Sequence, residues 1–320
     1  MKKKRFMALL LTAVMAVTLI LAEFSMGTAY AASGRVVTIG ADLSAQQRAS
    51  IFQFFGTSED EVIVLTITNA DEREHLGNLI PSEQIGWQTF SCAYVSPTDS
   101  NGIQVKTANM TYVTGDMIAA TLSTSGVVNC DVLAAAPFPV SGTGALTGVI
   151  MAYETAIGEE LDPEKKELAN EELVTTGALA DVIGQDEATL VVNDIKIRII
   201  RDGAAPEDVI SIVNDVLDNV NAAALNSVGH GINLSDNMRA ILYNFAEKVA
   251  SMGYDYSELS STLQRVAQNV TESTGIEDPI MDTFEDKISN KIPEDSILNG
   301  TDDSALGLAS NISTTFQDPA

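Results

Sequence analysis

The chain has 320 residues, with 44 acids against 18 bases and a formal net charge of −26. That balance repels nucleic acid and anionic lipid surfaces and excludes both as partners. Two histidines and two cysteines are too few for a zinc site, which needs several N or S ligands at tight spacing.

The N-terminus carries a three-part secretory leader. Lys2, Lys3, Lys4 and Arg5 form a basic region, Phe6 to Ala22 an uncharged apolar run, and Ala29-Tyr-Ala31 the small residues a signal peptidase reads. Cleavage after residue 31 removes those four cations and Glu23, leaving 289 residues with a net charge of −29. No Cys lies near the cleavage region, so no lipid anchor is expected there. The expected location is secreted or cell-wall associated, with membrane contact only through the leader. Such acidity serves solubility, or attraction to cations such as basic peptides and divalent ions.

Arg35 to Ile39 reads as a short strand. Ser44 and Gln47 form a capping-box pair that opens a helix carrying Ile51, Phe52, Phe54 and Phe55. Val62 to Thr68 is β-branched and reads as a strand. Asn69 is placed to cap a helix over 70–76, with Asp71 and Glu72 in its dipole-favoured first turn. Ile85 to Ser96 and Ile103 to Val113 read as two strands, and Pro97-Thr-Asp-Ser-Asn-Gly102 predicts a hairpin between them. Thr114 caps a helix to Ser125.

Val132 to Ala136 is a small apolar run, as for a strand covered on both faces. Pro137 and Pro139 predict its end, since proline cannot donate to a ladder. From Thr143 the apolar residues follow helical spacing, and Gly158 marks a stop. The order implies a mixed sheet flanked by helices.

Beyond Gly158 the chain reads as helical and more acidic, with 31 acids against 10 bases over 158–320. Asp162-Pro163-Glu164 starts a helix, and 186–201 fits strand alternation or a helix face and is read as helix beside helical neighbours. Helices follow from Pro206, Ser235, Ser257 and Pro279. The fold class expected is α+β: a mixed-sheet α/β domain over 32–157, an all-α domain over 158–292, and a polar, disordered tail over 293–320.

The run Ala135-Ala-Pro-Phe-Pro-Val-Ser-Gly-Thr-Gly-Ala-Leu-Thr-Gly148 resembles the signature of the YpuA-like exported proteins of Gram-positive bacteria, domain of unknown function 1002. Thr68 to Gly77, Ile80 to Gly86, Ser91 to Val95 and Val105 to Thr114 agree with that family in order and spacing. The resemblance covers roughly 42–290 and supplies no catalytic or binding residues to carry over.

The residues themselves exclude more chemistry than they suggest. His75 lies in a charged helix and His230 between Gly229 and Gly231, so both read as surface residues. Asp99, Asn101 and Gly102 resemble part of a calcium loop, but Met110 stands where the closing Glu belongs. Gly142, Gly144 and Gly148 miss the dinucleotide fingerprint, and Val149 replaces the lysine of a phosphate loop, so no cofactor is expected. Ser141 is not in a nucleophile elbow. Cys92 and Cys130 either form a disulfide, worth roughly 3–4 kcal/mol on the chain-entropy model, or remain two buried thiols.

If a small-ligand site exists, Ser141, Gly142, Thr143 and Gly144 are its expected place. They follow a strand inside the sheet and open a helix, where free N–H groups and the helix dipole favour a carboxylate or phosphate. The opposing reading is that these glycines only let the helix pack closely. The functional expectation is a non-enzymatic envelope binding or scaffold protein with an envelope protein or wall polymer as partner. The alternative is a wall-polymer hydrolase using acidic residues.

Overall fold

The computed structural model describes residues 34–77, 82–227, 229–277, 279–284, 288, 292–307 and 312–316. The leader read over 1–31 lies outside them. In chain order the first half comprises β1 (Val36–Gly40), α1 (Ala45–Phe55), β2 (Ile63–Ile67), α2 (Asn69–Leu76), α3 (Ser82–Ile85), β3 (Cys92–Pro97), β4 (Ile103–Met110), α4 (Gly115–Thr124), β5 (Cys130–Val140) and α5 (Thr143–Ile157). Then follow α6 (Pro163–Ile183), α7 (Gln185–Asp202), α8 (Val209–Ser227), α9 (Asp236–Ser251), α10 (Tyr256–Thr274) and a last strand, β6 (Ile312–Thr314). The fold class is α+β.

The sheet has six strands in the order β2-β1-β3-β5-β4-β6. β1 runs parallel to β2 and β4 parallel to β5, while β3 runs antiparallel to β1 and β5, and β6 antiparallel to β4. The carboxyl ends of β1, β2, β4 and β5 therefore share one edge. β3 and β4 are not a hairpin, which corrects the expectation from Pro97–Gly102. β5 lies between them, and its first seven residues are buried, as for a strand covered on both faces.

β5 also continues past Pro137 and Pro139 to Val140, beyond its expected end. Both prolines fall where the pairing with β4 jumps from Ala108–Ala135 to Met110–Val140. β3 ends opposite Ala135, so no ladder needs their missing N–H groups. Asn109, at φ 61°, donates Nδ2 to the Ala136 carbonyl at 2.9 Å and holds the irregular stretch in place.

One sheet face carries α4 and α5, and the later helices pack outside them. A single hydrophobic cluster runs from Val36 on β1 through Val149 on α5 and Val192 on α7 to Ile280, across the boundary expected at 158. The ambiguous segment 186–201 is the central helix α7, in which twelve residues are buried. Four of the twelve, Thr189, Asn193, Asp194 and Lys196, are polar, and each has a hydrogen-bond or ion-pair partner. Its Lys196 is 1% exposed, and Nζ contacts Glu172 Oε1 at 2.8 Å, the Ala120 carbonyl at 3.0 Å, Thr124 Oγ1 at 3.0 Å and Ser123 Oγ at 3.2 Å.

The opposite face differs from expectation. The disordered tail predicted over 293–320 is, in its described residues, two 3-10 turns (Ile297–Gly300 and Asp303–Leu306) and β6. Ile297, Leu298, Leu306 and Phe316 join Val37, Tyr94, Leu133 and the α1 phenylalanines in a second core. Four apolar residues at irregular spacing leave no period to read in so polar a stretch.

Candidate functional site

Open α/β sheets place ligands at the carboxyl ends of their strands. Here that edge carries the loop into α5. Gly142 caps α5 at φ 95° with no side-chain bond, and a Cβ there would stand 2.7 Å from Met110 Sδ. Thr143 Oγ1 donates to Glu72 Oε2 at 2.6 Å, Thr89 Oγ1 donates to Glu72 Oε1, and the Ala145 N–H donates to Ser91 Oγ at 2.8 Å. Ser141 Oγ lies 3.3 Å from Thr143 Oγ1, and the Thr89 N–H donates to Asp42 Oδ2 at 2.7 Å.

Glu72, contributed by α2 and 1% exposed, thus sets a carboxylate of the chain itself beside the start of α5. Burial pushes its carboxyl pKa up, and the two hydroxyls oppose that shift. Gly142, Thr143 and Gly144 are buried and Ser141 is half-buried. A Cβ on Gly144 would lie 2.6 Å from Thr89 Cγ2, and one on Gly148 2.4 Å from Thr38 Oγ1. Gly148 lets α5 approach β1 and β2, and Gly144 lets it approach the segment that leads into β3.

The cysteines do not pair. Cys92 lies opposite Ala135 and Cys130 opposite Pro97, five positions along the same strand, or about 17 Å. Cys92 also points into the second core and Cys130 into the first, so the possible disulfide is corrected to two buried free thiols. Burial pushes the Cys92 thiol up to about 12 and that of Cys130 well above its ordinary value. His75 and His230 are exposed. Among the described residues no group of three or more His, Cys, Asp and Glu is placed to hold a metal ion.

The same edge carries a feature the sequence reading missed. Trp87, inside the stretch read as strand from Ile85, stands in the loop before β3 and is 80% exposed. The Arg73 guanidinium stacks 4.7 Å from its ring centre. Arg73 Nη2 donates to the Gly86 carbonyl at 2.6 Å and Nε to Asn69 Oδ1 at 2.8 Å, which ties this brace to the loop. Three residues on, Phe90 packs edge-on against the half-exposed Phe138 of β5, with centroids 5.0 Å apart. The available signal was the chain's single tryptophan, beside Gly86 and Gln88.

A second concavity, of ≈ 590 Å³, lies between α10 and the turn at Pro279–Thr283, with Gln264, Gln268, Glu272, Glu277, Asp282 and Phe284 in its wall. Among the described residues no helix is long and apolar enough to cross a membrane.

No solved structure matches the chain. It is 33% identical over 238 residues to a Bacillus subtilis (strain 168) protein named "Uncharacterized protein YpuA", which covers 74% of this chain and 79% of that one. The profile of a family described as "Protein of unknown function (DUF1002)" matches residues 39–266, a span that holds Glu72, Trp87 and the α5 loop. With both sequence comparisons pointing the same way, the chain belongs to the DUF1002 family.

Proposed function

We propose that this is a non-catalytic binding protein of the cell envelope whose carboxyl-edge aromatic face takes a glycan strand of the wall. The observation that carries the reading is Trp87, 80% exposed on a ring backed by Arg73. An indole held out to water offers a ligand a large, rigid, amphipathic surface. The C–H face of a pyranose ring is apolar and slightly positive, and it stacks on the electron-rich face of an aromatic ring.

Size favours this ligand over a protein partner. A tryptophan contributes about 200 Å², and Phe138 adds only its half-exposed ring. A stable protein partner covers about 800 Å² on each side. The leader read over 1–31 supports an exported chain acting in the envelope or outside the cell. The net charge of −26 directs the choice toward uncharged stretches of polymer.

The test is sedimentation of the purified protein with insoluble wall polysaccharide. The parent should pellet with the polymer. Trp87→Ala combined with Phe138→Ala should lose about tenfold in affinity, on the order of 1.4 kcal/mol, with an unchanged melting temperature. Equal pelleting of the variant, or none by the parent, removes the glycan reading.

The hydrolase reading rests on a different observation, the three carboxylates Glu272, Glu277 and Asp282 in the ≈ 590 Å³ concavity. Release of reducing ends from wall polymer by the parent, lost in Glu272→Gln or Asp282→Asn, would establish it in place of simple binding.

A further inference from the structure

Glu72 and Arg73 are neighbours on α2, and between them they hold both ends of the loop that displays Trp87. Arg73 takes the near end, at the Gly86 carbonyl and the indole face. Glu72 takes the far end, where the Thr89 hydroxyl donates to its Oε1. Its other oxygen, Oε2, accepts from the Thr143 hydroxyl at 2.6 Å, in the loop that follows Phe138. One carboxylate therefore ties the segment carrying Trp87 and Phe90 to the segment that continues from Phe138. Glu72, Thr89 and Thr143 are each 1% exposed, so the tie is made away from water.

The tie depends on charge. An ionised carboxylate only accepts, so it takes both hydroxyl protons at once. In a carboxylic acid one oxygen donates, and one threonine must then reverse its bond. Thr143 has a way to do so, because its Oγ1 lies 3.3 Å from Ser141 Oγ. The bridge then consists of neutral bonds, roughly half as strong as charge-assisted ones. Burial is the largest influence on this proton and pushes the Glu72 pKa up. The Thr143 and Thr89 hydroxyls and Arg73 on the same helix favour the charged form. Asp42, which accepts from the Thr89 N–H at 2.7 Å, opposes it. α5 faces the carboxylate with Thr143 and the positive end of its dipole. The proton is therefore taken up while exposed carboxylates are still ionised.

We propose that Glu72 is the positioning residue of the aromatic face: while ionised it fixes Trp87 relative to Phe138, and on taking up a proton it loosens the face and weakens its hold on glycan. The ligand in this proposal rests on the glycan reading, whereas the tie is made by the chain's own residues. Because folding raises this pKa, the charge at neutral pH lowers stability, and the neutral group is the more stable one. Stability and positioning therefore respond to the same proton with opposite signs.

Trp87 is the chain's single tryptophan, so its fluorescence anisotropy reads this loop alone. The experiment follows that anisotropy, and sedimentation with insoluble wall polysaccharide, from about pH 7.5 to about pH 5. It uses the purified parent, Glu72→Gln and Thr143→Val. In the parent both signals should fall together along a one-proton curve, with affinity about threefold lower at the acid end. Glu72→Gln imitates the protonated group and should show the acid values at every pH, with a melting temperature unchanged or higher. A role in folding alone would leave anisotropy and its pH profile unmoved. Thr143→Val removes one arm of the tie and should lower anisotropy and pelleting at about pH 7.5. The proposal is overturned, with the glycan reading intact, if Glu72→Gln matches the parent in anisotropy and pelleting at about pH 7.5. It is equally overturned if anisotropy falls while pelleting holds, since the ligand then makes no use of the fixed ring. A parent that pellets at no pH removes the glycan reading and the acid release together, and the anisotropy curve then decides the positioning role by itself.

Discussion

The two faces of the sheet are covered by different means. On one side, helices with regular apolar stripes build one continuous core, and a helix that is nearly all interior runs through it. On the other, α1 shares the work with a polar tail that contributes four apolar side chains and then fastens itself. Lys106 pairs with Asp303 at 2.9 Å and donates to Thr301 Oγ1 at 2.7 Å, Gln53 reaches Asp302 Oδ2 at 2.8 Å, and Ser296 reaches Asp131 Oδ2 at 2.6 Å. The helical side is stabilised by volume and repetition. The tail side depends on a few contacts between residues very far apart in sequence, so each contact there matters more.

Removing residues 292–320 is the harshest test of that contrast. Burying Ile297, Leu298, Leu306 and Phe316 is worth roughly 1.5–3 kcal/mol for each side chain. Their sum is of the same order as the whole stability of a typical domain, about 5–15 kcal/mol. The shortened chain should keep much of its helical circular dichroism, lose its cooperative thermal transition and bind a hydrophobic dye. A truncated protein that melts within a few degrees of the parent would show that α1 alone covers the face.

Within the helical side, Lys196 and Glu172 test whether volume or charge holds the core. Lys196→Met leaves Glu172, 2% exposed, as an uncompensated charge, and should cost about 3–5 kcal/mol in urea unfolding. Adding Glu172→Leu should recover most of that loss, since a packed apolar pair often equals a buried ion pair. If the double variant is no better than the single, the polar network itself specifies how α4, α6 and α7 pack.

The smallest expected effect is at the seam where the two sides meet. Asp116, at the start of α4, accepts from Asn269 Nδ2 at 2.9 Å, and the same Nδ2 donates to the Thr315 carbonyl at 3.0 Å. Burial raises the Asp116 pKa to about 7; Asp186 adds to the shift, and Asn269 and Arg265 oppose it. The folded state therefore holds a proton that the unfolded chain releases near pH 4. Stability from this group is fully present below about pH 4 and is lost as pH rises through about 7. Moving from pH 5 to pH 7.5 should lower the unfolding free energy measured in urea, by about a few kcal/mol at most, and Asp116→Asn should flatten the slope. An unchanged slope in that variant would assign the pH dependence to the chain's overall negative charge.

Local signals were legible wherever chemistry and period agreed. The Ser44–Gln47 capping box is present on both arms, and Asp162 caps α6 through the Glu164 and Lys165 N–H groups. The cap of α2 shifted by one residue, to Thr68, because Asp71 supplies the reciprocal bond back to it. Strand order was not legible, since turn chemistry at 97–102 says nothing about which strand comes between. The α5 loop was placed correctly at the sheet's carboxyl edge from its glycines and prolines. The buried carboxylate beside it was not foreseen, because Glu72 lies 71 positions before Thr143 and reads locally as a dipole-favoured acid in the first turn of a helix. Trp87 was hidden for the opposite reason: an aromatic beside Ile85 reads as strand, and no pattern marks a ring kept in water.

Among the described residues β6 comes last along the chain, yet it hydrogen-bonds to β4, with Thr315 and Val105 exchanging backbone and hydroxyl bonds across 210 positions. The helices and the rest of the sheet are linked by shorter connections and can assemble before that strand docks. Closing a loop of such length is slow compared with local structure formation. Until residues 297–316 dock, the α1 phenylalanines and the strands beneath the tail stay partly uncovered. Docking of this one segment is therefore the step that seals the second core, and anything that occupies its place first holds the fold open.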